Sequence, residues 1–219
     1  MTIDAASAAG TVEREALQRR TLNSLRLAQV PGQAAVAGMV AVVTLLAGDL
    51  LGSDRLAGLG SASFTVGAAL TSIPLAAYMR RRGRRRGLTA ALALGALGSA
   101  VAALGGEVRL FPLFLVGMVA FGAGQAATLQ GRYVAADLAR PAQAGTAIAA
   151  IVWVGTLGAV FGPLLTPVER AMAESVGLDE LVGPFIVASV LFAVAAVVIA
   201  IRLRPDPLEV LGTIDPHAE

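Results

Sequence analysis

Few residues in this 219-residue chain have side chains that could do chemistry, and their types narrow the field quickly. Cysteine is absent, which removes disulfides, thiolate metal sites and a thiol nucleophile. All 17 basic residues are arginine, so no lysine can serve a Walker phosphate loop, form a Schiff base or act as a general base. The single histidine, His217, sits in a polar C-terminal stretch. A Ser–His dyad inside a membrane and haem ligation by paired histidines both fail on that count. Asp49 and Asp137 belong to opposite faces of the molecule, so the clustered carboxylates of a metal-dependent phosphotransferase are missing too. These residues predict no enzyme, no cofactor and no metal.

What remains is suited to positioning and recognition. Arg80, Arg81, Arg82, Gly83, Arg84, Arg85 and Arg86 form a dense cationic stretch. Gln33, Gln125 and Gln130 are neutral hydrogen-bonding groups within apolar segments, and Trp153 stands within another. The glutamines are candidates for substrate hydrogen bonds, Gln125 first among them; helix–helix hydrogen bonding is the other reading. Trp153 fits a substrate platform or an interfacial aromatic belt. Asp49 fits an interfacial carboxylate or a cation or proton contact at an outer gate.

The elements that must carry these groups are membrane spans. Hydrophobic residues make up 56% of the chain and charged ones 15%, against roughly 45–50% and 25% in a soluble domain. Mean hydropathy is +0.74. Apolar runs of about 18 residues or more mark spans. They run from about Leu27 to Leu51, Leu56 to Tyr78, Leu88 to Leu104, Leu110 to Leu129, Ala144 to Leu165 and Gly183 to Ile201. Backbone groups in lipid must be satisfied within the segment, so each span is helical. The expected fold is an all-α membrane protein, a six-helix transmembrane bundle. Residues 1–24 read as an N-terminal tail with a short helix near Val12–Leu22. Residues 25–203 form the bundle and 204–219 a C-terminal tail. No cleavable signal pattern precedes the first span.

Charge sets the orientation. Carrying one charge against the membrane potential costs about 2.3 kcal/mol per 100 mV, so the six arginines of 80–86 would cost on the order of 14. With that stretch inside, fourteen arginines fall on the inner side, Arg132, Arg140, Arg202 and Arg204 among them. Only Arg55, Arg109 and Arg170 fall outside. The bias puts both termini in the cytoplasm, and the Ala/Gly/Arg-rich composition suggests a GC-rich bacterial genome, hence a bacterial plasma membrane. The basic pI therefore does not call for nucleic acid.

The arginine stretch resembles the signature between the second and third spans of the major facilitator superfamily, Gly-x-Leu-Ala-Asp-Arg-x-Gly-Arg-Arg-x-x-Leu. Arg81, Gly83, Arg84, Arg85 and Leu88 match it; Ala76 replaces its opening Gly and Arg80 its Asp. In the family that carboxylate takes part in a cytoplasmic charge relay, so the resemblance implies a contact that is lost or rebuilt here. Asp137 is the nearest candidate replacement. It lies in an octet, Gly131 to Leu138, similar to the fourth-to-fifth-span junction of actinobacterial-type members. The expectation is an Asp137 pair with one of Arg80–Arg82; an aspartate merely offsetting nearby arginines is the alternative. Arg132 belongs to the same inner-face group.

Gly158, Gly162 and Pro163 resemble the family's Gly-x-x-x-Gly-Pro packing signature in the fifth span, without the glycine pair that follows it. The family's proton-coupling arginine has no counterpart; Met118 stands at its place. The resemblance implies one six-helix half of a secondary transporter. It implies a lipid bilayer and a small-molecule substrate as partners, H+ as a coupling ion, and efflux as one direction of transport. A homodimer or a C-terminal six-helix half would complete it. Sparse intramembrane charge suits a hydrophobic or weakly polar solute. A non-transporting interaction or regulatory subunit is the alternative function.

Overall fold

The computed structural model describes residues 2–210 and 212, with side chains omitted at residues 2–14, 41 and 54. His217 and the end of the expected C-terminal tail lie outside the described residues. Seven α-helices follow in order: α1 Thr2–Leu51, α2 Gly58–Arg82, α3 Arg84–Glu107, α4 Phe111–Val134, α5 Ala144–Ser175, α6 Gly183–Arg202 and the short α7 Pro207–Val210. Single-turn 3₁₀ pieces occupy Asp54–Leu56, Pro141–Gln143 and Glu180–Val182. Five of these helices are long and apolar enough to cross a membrane; α1, bent by 40° between Val40 and Val42, makes a sixth.

Three boundaries differ from the sequence-based expectation. No break marks residue 25, because the helix of the N-terminal tail continues into the first span as α1. That segment docks on the bundle: Gln18 Nε2 donates to Ala135 O at 2.8 Å and Ser24 Oγ donates to Arg202 O at 3.1 Å. The arginine stretch is not a loop. α2 runs through Arg82 and α3 starts at Arg84, so the hairpin turns on Gly83 alone, at φ 92°. L side chains avoid that conformation, which is why a glycine must stand there. Finally, α5 passes through Pro163 and Pro167 to Ser175, which places Glu169 and Glu174 on the helix and not in an outward loop.

The helices pack in an open series whose order differs from the chain order. α2 packs on α4, α4 on α3, α3 on α6, α6 on α1, and α1 on α5. Exchanging α1 with α4, α2 with α5 and α3 with α6 leaves this pattern unchanged. That is the contact signature of two three-helix repeats.

Small residues make these seams close. A Cβ on Gly162 would sit 2.6 Å from Ala34 O and 2.8 Å from Gly38 N, and one on Gly158 would strike Val30 O. On the other side of the bundle Gly67 and Gly122 bring α2 against α4 in the same way. Backbones that approach this closely gain dispersion contacts that lipid cannot match. The central wall is filled by Phe114, Phe121, Phe185 and Phe192, all fully buried. They meet pairwise, with ring centroids 5.6 Å apart for Phe114–Phe185 and 5.1 Å for Phe121–Phe192. Gly52, by contrast, has open space where its Cβ would go and φ 60°, so it ends α1 and packs against nothing.

Candidate functional site

This order leaves α1 and α4 in contact at the middle, flanked by α5 on one side and α2 on the other. Among the five spans that are single unbroken helices, α2 and α5 are the least buried and α3 and α4 the most. α1 and α4 thus form the floor of one face of the bundle, with α2 and α5 as its walls. Gln33 on α1 and Gln125 and Gln130 on α4 are all half-buried on these floor helices. The Gln33 side chain lies against Gly158 of α5. The Oε1 atom of Gln125 is buried without a hydrogen-bond partner. Trp153 is 72% exposed on α5. Among the described residues no hydrogen bond joins these four side chains to one another.

The floor holds a polar group that the sequence reading missed. Gln29, one helical turn before Gln33, is 4% exposed, and its Nε2 has no partner. It fills the space left by Gly155 of α5 and faces Gly131 of α4. The i, i+4 spacing of Gln29 and Gln33 was the available signal.

At the inner end the structure assembles a charged junction. Asp137 pairs with Arg84, Nε to Oδ2 at 2.9 Å, and not with Arg80, Arg81 or Arg82, which are exposed. The cause is the single-residue turn at Gly83: it keeps Arg80–Arg82 on the last turn of α2 and directs Arg84 from the first turn of α3 toward α4. Burial pushes the Asp137 carboxyl above its ordinary 3.8, outweighing the charge and hydrogen bonds of Arg84 that pull it down.

Asp206, in the segment expected as a C-terminal tail, completes the junction. It is 3% exposed. Its carboxylate accepts the backbone N–H of Arg84 at 3.0 Å, of Arg85 at 2.7 Å and of Leu208 at 3.0 Å. It thus caps the start of α3 from the segment that follows α6, and it lies where a Cβ on Gly83 would be. A carboxylate at a helix N-terminus satisfies orphan donors and complements the helix dipole. Arg85 also donates to Ala200 O at 3.4 Å, adding a second tie between α3 and α6. Arg132 is half-buried with an unpartnered Nε. Gly158, Gly162 and Pro163 lie on the α1–α5 seam, the two glycines buried and Pro163 exposed.

At the opposite end, Arg109 Nη2 meets Asp49 Oδ2 at 2.9 Å, and Nη1 lies 3.8 Å from Asp179 Oδ2. Glu107 accepts the Asp179 backbone N–H at 3.0 Å. Asp49 is therefore one arm of a surface ion-pair group.

Residues 30–218 match the family model of the Major Facilitator Superfamily. The chain belongs to this superfamily. Two Bacillus subtilis relatives, both named uncharacterized MFS-type transporters, are 38% identical over 94% of this chain (YdeG) and 37% identical over 90% (YddS). A Brucella anthropi protein named riboflavin transporter RfnT is 27% identical over 92%. The alignments cover 48%, 45% and 51% of these proteins respectively, so the chain spans about half the length of the curated relatives it matches. Its described residues form an all-helical bundle, one half of a major facilitator fold.

Proposed function

We propose that this chain is a six-helix half of a secondary active transporter, moving a small hydrophobic or weakly polar solute through a cavity closed by a second six-helix unit. What supports this reading is that face: half-buried amides on the α1 and α4 floor, between α2 and α5 walls that carry exposed apolar residues. Leu70 and Ile73 of α2 are 66% and 81% exposed, and Val160 and Leu164 of α5 are 61% and 65% exposed. A single bundle has only one wall of an alternating-access pathway; rocking against a second bundle supplies the other. That unit is a second copy of this chain or a C-terminal six-helix half.

In this reading the Arg84–Asp137–Asp206 junction is the cytoplasmic switch region. Asp206 supplies a buried carboxylate where Arg80 has displaced the one expected from the signature. The arginine bias supports an orientation with this junction and both termini in the cytoplasm, and the proposed location is a bacterial plasma membrane. H+ is the proposed coupling ion. The chain carries out no bond chemistry.

The experiment is flux into proteoliposomes holding the chain alone, as a cross-linked pair, or with the C-terminal half of a relative. Riboflavin, the substrate in the name of one relative, is the first solute to try, followed by amphipathic dyes. Uptake or release that follows an imposed pH gradient, and only in the paired preparations, supports the proposal. Stable pairing with no gradient-driven flux of any solute tested would favour a non-transporting membrane subunit.

A further inference from the structure

α5 turns one face to the rest of the bundle. Ile151, Gly155, Gly158, Gly162, Glu169 and Ala173 are buried along it, spaced at helical intervals. All but Glu169 are small or apolar. Glu169 is 5% exposed, and its Oε2 is buried without a hydrogen-bond partner. The start of α6 lies against this turn of α5: a Cβ on Gly183 would strike Glu169 O and come close to Ala173.

No cation pairs with Glu169 among the described residues. Arg170, the next residue, donates through Nε to Glu180 Oε2 at 3.0 Å, in the turn before α6. Arg109, after α3, is held by Asp49 of α1 at 2.9 Å and lies 3.8 Å from Asp179. Arg55, in the turn after α1, is exposed. Glu107 of α3, which accepts the Asp179 backbone N–H, and the exposed Glu174 of α5 are both acids. α6 carries a single charged residue, Arg202, at its far end. The cations at this end are thus exposed or already engaged. Glutamate is almost never buried unless paired, and a carboxylate without a cation or donor keeps its proton instead. The closed oxygen needs no room for a ligand molecule, because what it takes is a proton. An acid within a spanning helix is by default a functional group.

We propose that Glu169 is a proton-binding site: it holds a proton while the start of α6 is packed on α5, and releases it to water when that seam parts. One O–H bond forms or breaks, and no other group changes. A neutral carboxyl suits the closed seam and a carboxylate the hydrated one, so protonation and closure favour each other reciprocally. For its use in transport the site rests on the reading of H+ as coupling ion; the protonation itself does not.

Infrared difference spectroscopy of the full chain in lipid nanodiscs reads the C=O stretch of a protonated carboxyl. The parent is expected to show such a band at neutral pH that Glu169→Gln lacks; Asp137 is present in both and cancels. Gly183→Ala pushes the start of α6 off α5 without altering a charge, and is expected to at least halve the band at the same pH. Unchanged thermal unfolding shows that the variants are folded. If one does not fold, Glu169→Asp, scored by a shift of the band, or Ala173→Val, scored by its loss, takes its place. The band is read without transport, so absent flux in the paired proteoliposomes speaks against the transporter reading and not against this site. The proposal is overturned if the parent shows no such band, if Glu169→Gln retains it, or if opening the seam leaves it unchanged.

Discussion

Arg84 donates to both carboxylate oxygens of Asp137, Nε to Oδ2 at 2.9 Å and Nη2 to Oδ1 at 3.3 Å, and so ties the first turn of α3 to the turn that follows α4. Both side chains are largely shielded, 17% and 15% exposed. Removing either partner of such a pair strands the other charge, at a cost of about 3 kcal/mol, whereas replacing both with apolar groups leaves no charge behind. Arg84→Met and Asp137→Asn are therefore each expected to lower the unfolding temperature in detergent clearly more than Arg84→Met combined with Asp137→Leu. Additive losses in the double variant would mean that the pair is not a buried one.

The same group has a pH signature. The folded-state value of Asp137 is raised above 3.8, chiefly by burial. Its contribution to stability is then fully present below 3.8, with the carboxyl protonated, and is lost as pH rises through the raised value. Thermal unfolding measured from acid toward neutral pH is expected to show this decline in the parent and not in Asp137→Asn. Parallel curves would remove the effect.

Asp206 is the single acceptor for three backbone donors at the α3 start and the α7 start. Asp206→Ala leaves buried N–H groups unsatisfied and is expected to cost about 2–4 kcal/mol, with Asp206→Asn in between. Limited proteolysis is the sharper readout: cleavage in segment 203–210 should become fast in Asp206→Ala and stay slow in the parent. If the segment is equally resistant in both, the cap does not hold it.

The spans were legible in the sequence because hydropathy alone dictates them, and the arginine stretch identified the family. What stayed hidden depends on which helices meet. Asp206 is more than 120 residues from the backbone donors it caps, and nothing local in Arg-Pro-Asp-Pro says that the aspartate turns inward. Arg84 and not Arg80–Arg82 meets Asp137 because Gly83 allows a one-residue turn, whereas charge counting treats the six arginines alike. Gln29 lies near a span entrance, and only the approach of Gly155 on α5 and Gly131 on α4 gives its amide a buried place. The Gly158–Gly162 pair was legible as a pattern, but its partner, α1, was not.

That seam gives a packing prediction. A Cβ on Gly158 or Gly162 collides with α1 backbone, which cannot give way as a flexible side chain would. Gly162→Val is expected to destabilise the bundle by about 1–3 kcal/mol. Gly52→Ala has free space but a left-handed backbone, so its cost should be only about 1 kcal/mol. Thermal unfolding of the two variants side by side checks the order; a smaller loss at Gly162 than at Gly52 would contradict the close approach.

Arg109 occupies a left-handed position, φ 53°, at the end of α3 where a glycine is the usual residue. Its side chain is 56% exposed, so its pairs with Asp49 and Asp179 are worth at most about 1 kcal/mol. Arg109→Gly loses the pairs but relieves the backbone, and is expected within about 1 kcal/mol of the parent. Arg109→Ala loses the pairs and keeps the strain, so it should unfold at a lower temperature than Arg109→Gly. The reverse order would show that the backbone there is not strained.

The central claim is that the α2 and α5 walls receive a second six-helix unit. The chain lacks cysteine, so single cysteines at Ile73 and Phe161 on those walls, and at Leu97 and Val190 on the exposed faces of α3 and α6, are clean probes. Bismaleimide cross-linking in native membranes is expected to join units through positions 73 and 161 and to leave 97 and 190 unlinked. Cross-links through 97 or 190, with none through 73 or 161, would contradict the account.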